Sequence, residues 1–107
     1  MMTTDSTVRA EFIAGLRALA RFLADNPKVP VPSLGEAVSV HASGTDREKC
    51  AAVDRVAELI GVPASGGTHY LTERHFGPIT YRAVAVTEQA LNEYGAAVSY
   101  LGAVTNA

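Results

Sequence analysis

Thr68-His69-Tyr70-Leu71-Thr72-Glu73-Arg74-His75-Phe76-Gly77-Pro78-Ile79-Thr80-Tyr81-Arg82-Ala83-Val84-Ala85-Val86 is the stretch on which the fold turns. Thr68 to Phe76 and Ile79 to Val86 are rich in aromatic and β-branched residues and read as two strands. Gly77-Pro78 joins them. Glycine at the first central position of a two-residue bend and proline at the second suit a type II′ turn. That bend sets a register with Phe76 opposite Ile79, Arg74 opposite Tyr81, Glu73 opposite Arg82 and Leu71 opposite Val84. An opposite-charge pair and a cation–aromatic pair then face each other directly across the ladder, which supports the register.

Upstream of the hairpin, Glu36 to Ala42 alternates, with Val38 and Val40 on one face and Ala37, Ser39 and His41 on the other, and reads as a first strand. Thr45-Asp46-Arg47-Glu48 is a capping box: the Thr45 hydroxyl accepts from the Glu48 amide while the Glu48 carboxylate reaches back to Thr45. The helix it opens continues through Ala52, Val53, Val56, Ala57 and Ile60 and ends at Gly61, with Pro63 just beyond. Ala64-Ser65-Gly66-Gly67 is a loop. A further helix starts at the cap Thr87, with Leu91, Tyr94, Val98 and Leu101 as its apolar stripe and Gly102 as its end.

At the other end, residues 1–6 are polar, and Ser6 or Thr7 is available as a cap. Val8, Phe12, Leu16, Leu19 and Leu23 recur at helical steps, which predicts an amphipathic helix over 8–24. Asp25-Asn26-Pro27 stops it. Pro27, Pro30 and Pro32 make 27–33 a connector expected to be stiff and extended.

The order is αβαββα in a single domain, 1–107. The expected fold class is α+β, with residues 36–104 forming a split βαβ unit plus a C-terminal helix. Its third strand inserts between the first two, antiparallel to both, in a three-stranded antiparallel sheet of order 1-3-2. The arrangement resembles a truncated ferredoxin-like sandwich with an extra N-terminal helix. That helix has an apolar stripe to bury, either on the second sheet face or beside the other helices.

Composition narrows the function. The chain has 107 residues, 48% hydrophobic and 19% charged, with a formal charge of -2, so neither wholesale disorder nor bulk attraction to nucleic acid or anionic membrane is expected. One cysteine permits no intrachain disulfide and no thiolate cluster. No run approaches 18 apolar residues and the N-terminus is no secretory leader, which predicts a soluble, cytoplasmic protein. Alanine and valine supply 18 and 12 of the hydrophobic residues and tryptophan none, so the core is small-grained.

Phe12 to Leu23 followed by Asn26-Pro27-Lys28-Val29-Pro30-Val31-Pro32, and later Phe76-Gly77-Pro78-Ile79-Thr80-Tyr81-Arg82-Ala83-Val84, resemble the small uncharacterised proteins of Streptomyces-like actinobacteria and their phages. That family carries no established activity. The resemblance implies an origin and assigns no residue a role.

Candidate chemistry is sparse. His69 and His75 share a strand face but lie about 20 Å apart at strand rise, and sheet order 1-3-2 separates His41 from His69, so no metal site and no cofactor is expected. Cys50 flanks the buried stripe of its helix and reads as a small packed hydrophobe rather than a nucleophile. There is no G-x-S-x-G elbow and no phosphate-binding G-x-x-x-x-G-K-[ST]. Strand 3 lacks the glycine and second aromatic of an RNA-recognition motif, which leaves nucleic acid the weakest partner. Tyr70, Arg74, Phe76, Ile79 and Tyr81 share one face and form a candidate interaction patch, because aromatics and arginine are enriched at interface centres. The reading is a non-catalytic protein-interaction or self-associating module, a homo-oligomer or a partner of another protein, leaning away from an enzyme. The alternative is a small-molecule-binding protein or enzyme with a pocket between helix 1 and the sheet, in which His69, Glu73, His75 and Arg82 are the polar contacts.

Overall fold

The computed structural model describes residues 2–87. Their order is α1 (Ser6–Asp25), β1 (Glu36–His41), α2 (Asp46–Ile60), β2 (His69–Phe76) and β3 (Ile79–Val86). The described part is thus α+β, with two helices and an open three-stranded sheet ordered β1-β3-β2. The further helix expected from Thr87 lies outside the described residues.

The hairpin has the register its bend requires: Phe76 pairs with Ile79, Arg74 with Tyr81, Glu73 with Arg82 and Leu71 with Val84, all antiparallel. Gly77 takes φ +61, the left-handed conformation demanded of the first turn residue. On the other side of β3, β1 pairs in parallel, Val38 with Tyr81 and Val40 with Ala83. The sheet is therefore mixed. An all-antiparallel sheet, and with it the split βαβ unit of a ferredoxin-like sandwich, is overturned, because β1 and β2 run in opposite directions.

The chain after α2 explains why. Gly61 caps α2 with φ +74, and its amide and that of Val62 both donate to the Ala57 carbonyl, at 2.9 and 3.2 Å. Residues 62–65 then run back along the outer edge of β2. The Thr72 hydroxyl donates to the Val62 carbonyl at 2.6 Å, and Ser65 and Leu71 exchange backbone hydrogen bonds at 2.9 and 3.0 Å. Gly66, at φ +110, reverses the chain into β2. The return journey is completed before β2 begins, so β2 starts at the end of the sheet where β1 finishes and, on the far side of β3, runs opposite to it.

Helix α2 carries both halves of its capping box: the Glu48 amide donates to Thr45 Oγ1 at 3.2 Å and the Thr45 amide to Glu48 Oε1 at 3.3 Å. It packs on the face of the sheet that holds Tyr70, Thr72, Ala83 and Ala85. Val53 and Ala57 from the helix meet Ala83 and Ala85 there, and Val53, Ala83 and Ala85 are fully buried. The Lys49 ammonium donates to the Val86 carbonyl at 3.0 Å and pins the start of the helix to the end of β3.

Helix α1 departs most from its expected place. It starts two residues earlier, at Ser6, because the Asp5 carboxylate rather than Ser6 or Thr7 caps it, accepting from the Val8 amide at 3.0 Å. None of its residues is buried, so its stripe covers neither sheet face nor another described helix. The connector is not uniformly extended either. Turns at Asn26–Val29 and Pro32–Gly35, closed by backbone bonds of 3.0 and 3.4 Å, bracket Pro30-Val31. Pro27 sits at the second position of the first turn, where its fixed φ is favourable, and the Asn26 side chain donates back to the Phe22 carbonyl at 2.8 Å.

Candidate interaction surfaces

The two faces of the sheet gather different chemistry. On the face shared with α2, Arg74, Phe76, Ile79 and Tyr81 collect at the hairpin end, beyond the part of the sheet that α2 buries. Phe76 and Ile79 are exposed there, at 58% and 46%. The Arg74 guanidinium sits 5.2 Å from the centre of the Phe76 ring. Its aromatic partner is thus two residues along its own strand and not Tyr81 across the ladder, because side chains at i and i+2 share a face and lean along the strand. Tyr70, the fifth member of the expected patch, is separated from the other four. It is half-buried beside α2, and its hydroxyl donates to Asp54. That hydrogen bond, then desolvation and the Asp54 charge, raise the Tyr70 pKa above the ordinary tyrosine value.

An open groove of about 850 Å³ lies between α2, this end of the sheet and the first residues of the chain. Its floor is apolar, with Val40 from β1 and Val56, Leu59 and Ile60 from α2. Arg9, Arg55 and Arg74 line it, and among the described residues no carboxylate does. The described ion pairs involve none of these three arginines. Nothing in the sequence joins Arg9 and Arg55 to Arg74: each sits on a different helix, and only the folded placement of α2 and the first turn of α1 beside the hairpin brings them to one groove.

The four polar residues expected in a pocket beside helix 1 lie elsewhere. Glu73, His75 and Arg82 meet on the opposite face, since residues 73, 75 and 82 alternate with the patch residues. Arg82 Nε donates to Glu73 Oε2 at 2.8 Å, His75 Nε2 lies 3.7 Å from Glu73 Oε1, and His75 Nδ1 shares a 2.8 Å hydrogen bond with Thr80 Oγ1. His69 stands apart at the start of β2 and is exposed. A Thr80–His75–Glu73 chain has the residue types of a nucleophile, base and orienting acid. It lies, however, on the face of a regular ladder, where backbone amides point within the plane of the sheet and not up at the side chains, so no backbone donors converge on a reacting oxygen. The cluster is a cross-strand network that fixes the hairpin register.

Helix α1 is the largest uncovered apolar surface among the described residues. Val8, Phe12, Leu16, Leu19 and Phe22 lie within one arc, with Phe12, Leu19 and Phe22 each at least half exposed. No described helix is long and apolar enough to cross a membrane. No family model, no curated protein and no solved structure matches the chain, so these surfaces are interpreted from their geometry alone.

Proposed function

We propose that the protein is a non-catalytic, self-associating interaction module of the cytoplasm, of the actinobacterial or phage kind its segments resemble, and that α1 is its contact element. One observation carries this reading: a twenty-residue helix has a continuous apolar stripe and no buried residue. An apolar face of this size on one element is the mark of a contact surface, and a helix without tertiary packing is marginal in water. A second copy supplies the same stripe, and like stripes pack by interleaving their ridges and grooves. The connector supports the assignment, since its two turns and three prolines set the apolar stripe of α1 apart from the sheet, Arg9 alone of the helix lining the groove beside it.

Light scattering on the purified chain tests the proposal. The wild type gives at least twice the monomer mass at micromolar concentration, and Leu16→Glu with Leu19→Glu returns it to monomer mass with the sheet intact. Monomer mass for the wild type at every concentration overturns the reading.

A further inference from the structure

The arginine-lined groove is a second site, independent of the α1 surface. Val40 of β1 and Val56, Leu59 and Ile60 of α2 form its floor, with Phe76 at the hairpin end. Leu59 is 84% exposed and Phe76 58%. Apolar residues scattered singly over a surface are ordinary, but a set gathered around one depression marks a binding surface.

The charge is as one-sided as the floor. Arg9, Arg55 and Arg74 come from α1, α2 and β2, and among the described residues no carboxylate lines the groove with them. The chain as a whole has a formal charge of -2, so this is a local concentration of positive charge on an acidic background. An anion brought among like charges is attracted by all of them at once. Arg74, with its guanidinium 5.2 Å from the centre of the Phe76 ring, offers a cation and an apolar surface together.

Three properties of the groove select the occupant. Aliphatic Val40, Val56, Leu59 and Ile60 give nucleobases no platform to stack on, which disfavours nucleic acid. The groove is open, so a small molecule would leave much of its surface in water. It also lies over the face of the sheet, where backbone amides point within the sheet plane, so an extended segment would find no main-chain partners there. A helix satisfies its own backbone and needs only an apolar side.

We infer that the groove docks an acidic amphipathic helix of another protein, its apolar side on Val40, Val56 and Leu59 and its carboxylates toward Arg9, Arg55 and Arg74. Arginine–carboxylate pairs at such a rim fix the orientation of the docked helix as well as adding affinity.

Titration of the full-length chain with a synthetic helix tests the inference. The probe is an end-capped peptide of about 16 residues, with leucines at steps of three and four and glutamates flanking the stripe. One control has lysine in place of each glutamate, and a second has the composition of the probe in scrambled order. The acidic peptide binds with a micromolar Kd and shifts the amide resonances of Arg55, Leu59, Arg74 and Phe76, and each control binds at least about tenfold more weakly. Arg55→Glu with Arg74→Glu reverses the preference between the acidic and the basic peptide. Should that pair fail to fold, Arg55→Gln alone must weaken the acidic peptide and leave the basic one no weaker. Absence of binding overturns the inference, as does equal binding of the acidic and scrambled peptides or an unchanged preference in the folded Glu pair. Shifts confined to Phe12–Leu19 of α1 overturn it too, as does tighter binding of a single-stranded oligonucleotide at the same amides. Groove shifts on diluting the chain alone overturn it in favour of a second copy. Failure with the peptides leaves the α1 reading standing, because that reading is decided by mass.

Discussion

A methyl group added at Gly66 would stand 2.2 Å from the His69 carbonyl oxygen, at a φ of +110 that side chains rarely adopt. Next to it, Gly67 has nothing within 4 Å and no positive φ. Gly66→Ala therefore costs about 2 kcal/mol or more in urea denaturation, and Gly67→Ala stays within about 1 kcal/mol. The sequence shows two adjacent glycines and a loop; it does not show which of them has a carbonyl against it. The capping box was legible because both partners lie within four residues. Thr45→Ala should cost about 1 kcal/mol by the same denaturation assay. Hydrogen bonds from the Thr45 side chain and backbone hold the Glu48 carboxyl below the usual carboxylate range. A lowered folded value means that the contribution is complete above the unfolded value and disappears as pH falls through the folded one. Thr45→Ala and wild type should thus converge in stability at acidic pH. Tyr70 has the opposite sign: its contribution holds below the ordinary tyrosine value and is lost as pH climbs through the raised one. Ultraviolet titration should show one tyrosine ionising late, and Asp54→Asn should bring it back toward the others.

Among the elements, the hairpin was the most readable because a two-residue bend leaves the register little choice, and the paired strands follow it residue for residue. The direction of β1 was not readable. Alternation of Val38 and Val40 gives a strand and its faces but says nothing about which way it runs beside its neighbour; that was decided by residues 62–65, which contain too little periodicity to look like anything but loop. The candidate site followed the same division. Cross-strand partners Glu73 and Arg82 were visible from register, whereas Arg9 and Arg55 join Arg74 only through where the fold sets α2 and the first turn of α1. At this scale α2 and α1 answer differently to mutation. Val53→Ala empties a fully buried position and should cost about 2 kcal/mol in thermal or urea unfolding. Leu16→Glu, on a helix with no buried residue, should leave the unfolding of the dilute protein within about 0.5 kcal/mol of wild type.

The described molecule as a whole is a small sheet with one helix tightly packed on it and a second helix held apart. Its buried core is limited to Val53, Ala57, Ala83, Val84, Ala85 and Thr72, mostly small side chains, as an alanine- and valine-rich composition implies. The sequence says that α1 has an apolar face but not what covers it, since amphipathic periodicity is identical whether the cover comes from the same chain or from another copy. Amide hydrogen exchange of Phe12 to Leu23, followed at two protein concentrations a hundredfold apart, separates these cases directly. Protection that rises with concentration is the predicted result. Protection that is the same at both concentrations, whether strong or absent, would contradict α1 as the surface on which two copies meet.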